Sequence, residues 1–153
     1  MNSYHSITTL VKDILLSDED INTCLFGLAD DEDLYKKNIY PFARINPLGS
    51  NFASSQMNTF DLEITVLDQR DLSNSNELDK FDGNDNEIDN LNTTHAVINR
   101  LITTLRQQSN DDRIELISVS TASPVLFKRN NLMDGWQVVI TLGIPNDLIN
   151  VCN

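Results

Sequence analysis

The densest group of potential ligands in the sequence is an acidic segment at residues 79–87. A calcium loop places oxygen-bearing side chains at alternate positions, with a Gly at the sixth position and a Glu at the twelfth. Counting from Asp82 puts Glu87 at the sixth position and Thr93 at the twelfth, and counting from Asp79 puts an aromatic residue in a ligand position. Since both registers fail, we interpret this segment as a solvated acidic loop that leads into a helix.

The carboxylates of Asp61 and Glu63 form a second candidate, because they are close enough in sequence to act as a general acid and base. Such a pair needs one carboxyl group in an apolar pocket and the other in polar surroundings. Asp61 and Glu63 alternate with Leu62 and Ile64, so both lie on the wetter face of a predicted strand. We interpret them as solvated polar residues. A hydrolase that depends on Asp61 and Glu63 is nevertheless kept as a functional hypothesis, the third after the two given at the end of this subsection.

Thiols and imidazoles are scarce, since the chain has only Cys24, Cys152, His5 and His95. A nucleophilic dyad would need a thiol or a hydroxyl group beside one of the histidines, and a structural zinc needs about four closely spaced ligands. The spacings fit neither arrangement, so we predict buried, unbridged thiols and a packing or interface role for His95. No G-x-S-x-G motif or glycine-rich phosphate loop occurs. We therefore predict no catalytic residue, no cofactor and no metal site.

The single tryptophan, Trp136, follows Asp134-Gly135, a dipeptide that favours turns. The sequence therefore predicts a turn that leads this side chain onto a strand. A lone Trp in that position packs in the core, and the alternative is that Trp136 anchors an interface.

The charge of the chain argues against several classes of partner. Its 153 residues include 23 acidic and 11 basic side chains, which gives a net charge of −12. This charge repels the phosphates of nucleic acids and anionic lipids, and the nearest approach to a basic cluster is Lys128-Arg129. Residues 1–10 lack a signal-peptide pattern, and no apolar run reaches the roughly 18–20 residues of a membrane span. We therefore expect a soluble protein made in the cytoplasm, with no nucleic-acid-reading surface and no membrane contact.

Two segments have the apolar spacing of amphipathic helices. The first spans residues 4–16, and the second, at residues 86–108, has acidic residues at its start and arginines later, as the helix dipole favours. The side chains predicted to be buried are Ile7, Leu10, Val11, Ile14 and Leu15 in the first helix, and Ile88, Leu91, Ile98, Leu101, Ile102 and Leu105 in the second.

Alternation of apolar and polar residues predicts strands at residues 38–46, 56–67, 113–120 and 135–144. A change of phase between Leu116 and Ile117 favours a bulge in the third of these strands. The remaining segments are residues 22–28, which fit a short strand or a helical turn, residues 47–51 and 122–127, which are predicted turns, and residues 68–87, a predicted long acidic loop.

The order helix, strand, strand, helix, strand, strand favours hairpins over parallel βαβ units. We therefore predict a single α+β domain over residues 1–153, with an antiparallel sheet of about four strands and two helices packed on one face. The other face of the sheet is predicted to be open, and one edge strand is predicted to be exposed.

This order of elements resembles the small neck and tail-completion proteins of tailed bacteriophages that have the tail-terminator-like fold. The resemblance rests on the first helix, the strand that ends in the acidic loop, the helix at residues 88–105 and the strand at residues 114–119. It rests also on a closing strand that is entered through Asn131-Leu132-Met133-Asp134-Gly135-Trp136 and left at Ile144-Pro145-Asn146. The order of elements extends the resemblance over most of the chain, whereas the residues themselves support it only in the closing segment.

The resemblance implies a structural virion protein without catalytic residues, cofactor or metal. Such proteins form closed homo-oligomeric rings at the junction of portal and tail, where they contact other neck, portal or tail proteins. DNA passes through the channel without specific binding, and an acidic surface suits such a channel. The acidic loop at residues 68–87 would then order against a neighbouring subunit.

A second hypothesis needs no ring. The chain would then be a small regulatory or chaperone-like domain that binds a protein partner as a monomer or dimer. It predicts a single hydrophobic patch on the surface, whereas the ring hypothesis predicts discrete oligomers with a large area buried between subunits.

Overall fold

The structure is a computed structural model of the chain, and it describes residues 3–27, 40–52, 56–71, 86–108, 113–128 and 133–146. Two helices lie within these ranges, α1 (Ser3–Ser17) and α2 (Glu87–Gln108). The strands are β1 (Thr23–Phe26), β2 (Phe42–Asn51), β3 (Met57–Gln69), β4 (Glu115–Val119), β5 (Ser123–Lys128) and β6 (Met133–Pro145). The structure is α+β, as predicted.

All six strands of the described residues belong to one mixed sheet with the order β1-β2-β3-β6-β4, and β5 also pairs with β6. The antiparallel pair β3–β6 forms its centre and extends from Met57 opposite Pro145 to Gln69 opposite Met133. β1 runs parallel to β2, and the other pairs are antiparallel. The prediction of about four antiparallel strands is therefore wrong in the number of strands and in the parallel pair at the edge.

The two additional strands lie in segments with a weak local pattern. Residues 22–28, which fitted a strand or a helical turn, contain β1, and residues 122–127, predicted as a turn, contain most of β5. β5 forms because it lies along the first half of β6, with Val125 opposite Gly135. Tertiary pairing, which the local sequence does not record, thus determines both strands.

β4 and β2 each have a shift of register, and the sequence predicted only the one in β4. The register of β4 against β6 shifts between Leu116 and Ser118, which confirms the bulge predicted from the change of phase. Residues 47–51 were predicted to form a turn, but they continue β2 as far as Asn51. They do so because β3 supplies partners for them, with a register shift between Pro47 and Gly49.

Both helices pack on the same face of the sheet, as predicted, and we call it the helix-covered face. Alternate residues of the central strands point into this layer, and the helices bury them. The main buried side chains of this core are Ile7, Val11, Leu15, Ala43, Ile45, Leu62, Ile64, Val66, Val97, Ile98, Leu101, Leu105, Val138, Ile140, Leu142 and Ile144.

The first half of α2 departs from the predicted stripe. Ile88 is 41% exposed, whereas Asn90 and Thr94 are buried. The Nδ2 group of Asn90 donates a hydrogen bond to the backbone oxygen of Gln69, at 3.1 Å, and the Oγ1 of Thr94 donates one to the backbone oxygen of Asn90, at 2.6 Å. α2 therefore begins against the polar backbone at the end of β3, where amides suit the contact better than apolar side chains.

A buried ion cluster fixes the same end of the molecule. The Nε and Nη2 groups of Arg70 donate to the two carboxylate oxygens of Asp134, both at 2.7 Å, and Nη2 lies 3.0 Å from Oε2 of Glu87. Asp134 is fully buried and Arg70 is 5% exposed. The prediction that Asp134-Gly135 forms a turn is wrong, because Asp134 pairs with Asp68 inside the β3–β6 ladder. Arg70, assigned to the acidic loop, instead belongs to this cluster.

Gly135 is required by the close approach of β6 to β3. A Cβ atom at this position would overlap the backbone oxygen of Val66 and lie 3.0 Å from the Cα of Leu67. Both contacts are backbone atoms, so a side chain cannot be accommodated by a change of rotamer.

We predict that Gly135→Ala lowers the free energy of unfolding by about 1–3 kcal/mol, the usual cost of overpacking. Urea denaturation of the full chain provides the measurement. Gly49→Ala is the matched control, because a Cβ there meets nothing within 4 Å, and its effect should stay within about 0.5 kcal/mol. Equal effects of the two variants would contradict the close approach at Gly135.

We predict that Arg70→Met lowers the free energy of unfolding by about 3–5 kcal/mol, because it leaves the buried carboxylate of Asp134 without its cation. Arg100→Met is the control. Arg100 also holds two carboxylates, Asp18 at 2.7 Å and Asp20 at 2.6 Å, but its side chain is 46% exposed. Its loss should therefore cost less than about 1 kcal/mol. Similar losses in both variants would show that burial of the Arg70 cluster does not determine its contribution.

Candidate functional site

The carboxylates of Asp61 and Glu63 lie on the face of the sheet opposite the helices, which we call the outer face. Oδ1 of Asp61 accepts a hydrogen bond from the hydroxyl group of Thr141, at 2.6 Å. The two oxygens of Glu63 accept from Nε2 of Gln137, at 2.6 Å, and from Nδ2 of Asn46, at 3.4 Å. Both carboxylates are half-buried and bonded across the sheet. Neither has the apolar surroundings that a general acid needs.

The outer face is not open along its whole length. At one end Tyr40, Phe42, Leu67 and Met133 form a second buried apolar cluster, and Leu25 and Val125 pack against it. Leu67, which broke the predicted alternation of its strand, belongs to this cluster. The expectation of one sheltered and one open face therefore has to be corrected, because the outer face is apolar and buried at the Leu67 end and polar in the middle.

A groove between α1 and β1 contains two of the residues that were considered as a nucleophilic dyad. Its volume is about 450 Å³, and we call it the α1–β1 groove. The lining residues are Tyr4, His5, Thr8, Thr9, Lys12, Cys24, Leu25, Phe26 and Ile45. Cys24 and His5 therefore share one depression, although they are 19 positions apart in the sequence (24 minus 5).

The thiol of Cys24 does not have the properties of an activated nucleophile. Burial raises the pKa of Cys24 to about 11, an effect that the nearby Lys12 ammonium group opposes only in part. At neutral pH the thiol is therefore protonated, whereas a catalytic cysteine needs a lowered pKa. Cys24 is unbridged, as predicted, but it is half-buried where a buried thiol was expected. Cys152 lies outside the described residues.

His95 and Trp136 form an aromatic pair between α2 and β6. Their ring centroids are 5.3 Å apart in an edge-on arrangement, and the indole N–H of Trp136 donates to the backbone oxygen of Leu91, at 2.9 Å. The Trp side chain is half-buried and packs against the main core. The core interpretation of Trp136 is thus supported, and the exposed His95 packs against its ring.

Most of the acidic segment that was tested for a calcium loop lies outside the described residues. Of residues 79–87, Asn86 and Glu87 are described. Glu87 pairs with Arg70, and Oδ1 of Asn86 accepts a hydrogen bond from the backbone N–H of Asp71, at 2.7 Å. These two residues therefore join the start of α2 to the end of β3.

Within the part of the chain that the structure describes, no group of three or more His, Cys, Asp or Glu residues is arranged to hold a metal ion. The same residues contain no helix of sufficient length and apolar character to cross a membrane.

Two prominently exposed apolar side chains lie in the outer half of β2 and directly after its last residue. β1 pairs only with Phe42–Ile45, so β2 continues past the end of β1 and pairs with β3 alone among the described strands. We call residues 47–52 the β2 arm. Within it, Leu48 is 52% exposed and Phe52 is 72% exposed. Leu48 lies within β2 and Phe52 follows Asn51, the last residue of the strand. Exposed apolar side chains that form a contiguous patch mark contact surfaces.

Sequence reasoning missed the two surfaces that stand out in the structure, the β2 arm and the α1–β1 groove. The arm was predicted to be a turn because Pro47 and Gly49 favour turns when no partner strand is known. The groove depends on the parallel placement of β1 beside β2, which no local pattern encodes. The one available signal was that Leu48, a large apolar residue, lies within the predicted turn at residues 47–51 and that Phe52 directly follows it.

No model of a known protein family matches the chain, and no curated protein sequence matches it significantly.

We predict that Cys24 reacts with iodoacetamide at pH 8 on the order of 100 times more slowly than N-acetylcysteine, because so little of it is ionised. The rate should continue to rise with pH up to about 11. The experiment uses the Cys152→Ser variant, so that one thiol is followed, and N-acetylcysteine in the same buffers is the control. A rate that reaches its plateau below pH 9 would instead indicate an activated thiol.

Proposed function

We propose that this chain is a structural protein of the neck or tail of a tailed bacteriophage and forms a ring by head-to-tail contact with copies of itself. In the virion the ring joins portal-side and tail-side proteins around the channel. DNA passes through that channel without specific binding. The order of elements, which resembles the tail-terminator-like proteins, and the α+β class of the structure support this proposal.

The observation that carries the proposal is the β2 arm. It presents Leu48 and Phe52 beyond the end of β1, away from the core that the helices cover. A head-to-tail ring needs two different surfaces on each subunit, one that projects and one that receives. The arm has the form of a projecting surface, and burial of its apolar side chains by a neighbour would remove them from water.

The charge of the chain is compatible with a channel for DNA. A net charge of −12 repels the phosphate backbone, so DNA would slide past the subunits without being retained. The cross-strand bonds of Asp61 and Glu63 hold two of these carboxylates on the outer face in fixed positions.

One observation favours the second functional hypothesis, a protein-binding domain without ring formation. The α1–β1 groove is an open depression of about 450 Å³ with both apolar and polar lining residues, and such a groove can hold a segment of a partner protein. A monomeric chain that binds a partner through the groove would fit this hypothesis.

Native mass spectrometry and sedimentation of the full chain test the ring. We expect one discrete species at an integral multiple of the 17.3 kDa chain mass. Phe52→Asp should weaken assembly by about 30-fold or more, as expected for a central interface residue. Ile88→Asp is the matched control, because Ile88 is also exposed but lies in the first turn of α2.

Three results would each contradict one part of the proposal. The wild-type chain could stay monomeric at every concentration tested, both alone and with portal or tail proteins added. It would then lack the contact between subunits that a ring requires. Equal weakening by Phe52→Asp and Ile88→Asp would remove the β2 arm from the interface. Retention of the assembled species on immobilised double-stranded DNA at moderate salt would contradict a non-binding channel.

A further inference from the structure

We propose that the outer edge of β1 and the α1–β1 groove together bind an extended acidic segment of a partner protein, which adds to the sheet as a further strand. This inference does not require ring formation. It rests on three features of the described residues: the edge of β1, the groove beside that edge and the charge of the groove.

β1 is the terminal strand of the sheet and pairs with β2 alone among the described strands. The N–H of Gly27 donates to the backbone oxygen of Ile45, at 3.0 Å, in the register that sets Phe26 opposite Ile45. Since alternate residues of a strand direct their backbone groups to the same side, those of Leu25 face β2. The backbone groups of Cys24 and Phe26 therefore face outward, where an added strand can pair with them.

The groove lies beside this edge on the helix-covered side. Cys24 and Phe26 contribute to its lining, and α1 forms the opposite wall through residues such as Thr8 and Thr9. Phe26 is 57% exposed, so its ring forms an apolar lip. Alternate side chains of a strand paired with β1 would point into the groove and cover this ring. Strand addition of this kind takes its affinity from main-chain bonds and its specificity from such side-chain pockets.

The charge of the groove selects an acidic occupant. Lys12 and His5 are among its lining residues, and none of the described residues that line it is a carboxylate. This distribution is unusual on a chain with 23 acidic and 11 basic side chains. Lys12 is exposed and lines the same groove as Cys24, so its positive charge is accessible to an occupant of the groove. A partner carboxylate placed there would gain a favourable contact, whereas a basic segment would be repelled.

The same features disfavour a nucleic acid. A nucleic acid carries a phosphate on every nucleotide and depends on several phosphate contacts, which one lysine with one histidine does not provide. A peptide needs only one carboxylate beside Lys12. The aliphatic and aromatic lining suits amino-acid side chains, and the backbone groups of β1 match a peptide.

The test begins with random short peptides displayed on phage and selected against the full chain. We expect the selected peptides to alternate apolar residues and to contain Asp or Glu. Fluorescence anisotropy of a labelled selected peptide then measures affinity. Lys12→Glu and Phe26→Ser should each weaken binding by about tenfold or more. Arg106→Glu makes the same charge change on the exposed last turn of α2 and should alter affinity by less than about twofold.

Amide hydrogen exchange tests the strand addition itself. When the peptide binds, the amide hydrogens of Cys24 and Phe26 should exchange at least about tenfold more slowly, because they acquire hydrogen-bond partners. The amide of Leu25, which faces β2, should change little and serves as the internal control. Binding without protection of Cys24 and Phe26 would overturn the added strand.

Three other outcomes would overturn the proposal. The selection yields no enriched peptide, the enriched peptides lack acidic residues, or they bind the Lys12→Glu variant as tightly as the wild type. Sedimentation separates this proposal from the ring. If Lys12→Glu and Phe26→Ser abolish the self-association that depends on Phe52, the groove holds a second copy and not a partner segment. Peptide binding by a monomeric chain would sustain this inference while the ring fails.

Discussion

Removal of a guanidinium group from water is costly, and the side chain of Arg70 is almost completely removed from it. The two-pronged contact with Asp134 and the third contact with Glu87 offset that cost. These residues come from the end of β3, the start of β6 and the first turn of α2, so the contacts form only when the central strands are in register. The position of α2, and with it one wall of the core, depends on this cluster.

The elements that the sequence predicted well are those that contain their own periodicity. One face can be recognised from the sequence in each of the long elements α1, α2, β3 and β6. The bulge at Ile117 was also predictable, because the alternation of apolar residues changes phase there. The short strands β1 and β5 became strands only because β2 and β6 lie beside them. Asp134 and Gly135 were misread for a related reason. Their local preference for turns is overridden by an ion pair and a close backbone contact with distant residues.

The candidate surfaces were less predictable than the fold, because they are produced by relations between elements. The α1–β1 groove requires α1 to be held at a defined distance from the sheet edge. At the end of α1, Arg100 of α2 bonds to Asp18 and Asp20. Burial alone would raise the pKa of Asp18, but hydrogen bonds from Arg100 and from the N–H of Asp20 lower it overall. The carboxylate of Asp18 therefore stays charged, and keeps its contact with Arg100, to a lower pH than an ordinary aspartate would.

The two margins of the sheet differ in how regular they are. β6 is bordered by two short strands in succession, β4 and β5, and each has a shift of register, at Leu116–Ser118 and at Val125–Lys128. A shift of register interrupts the row of backbone groups with which a strand from another molecule could pair. Natural proteins use such interruptions at sheet edges to limit aggregation. The β1 margin shows no such shift in its register with β2. Among the described strands, an added strand would therefore meet an uninterrupted register at β1 and an interrupted one at β4 and β5.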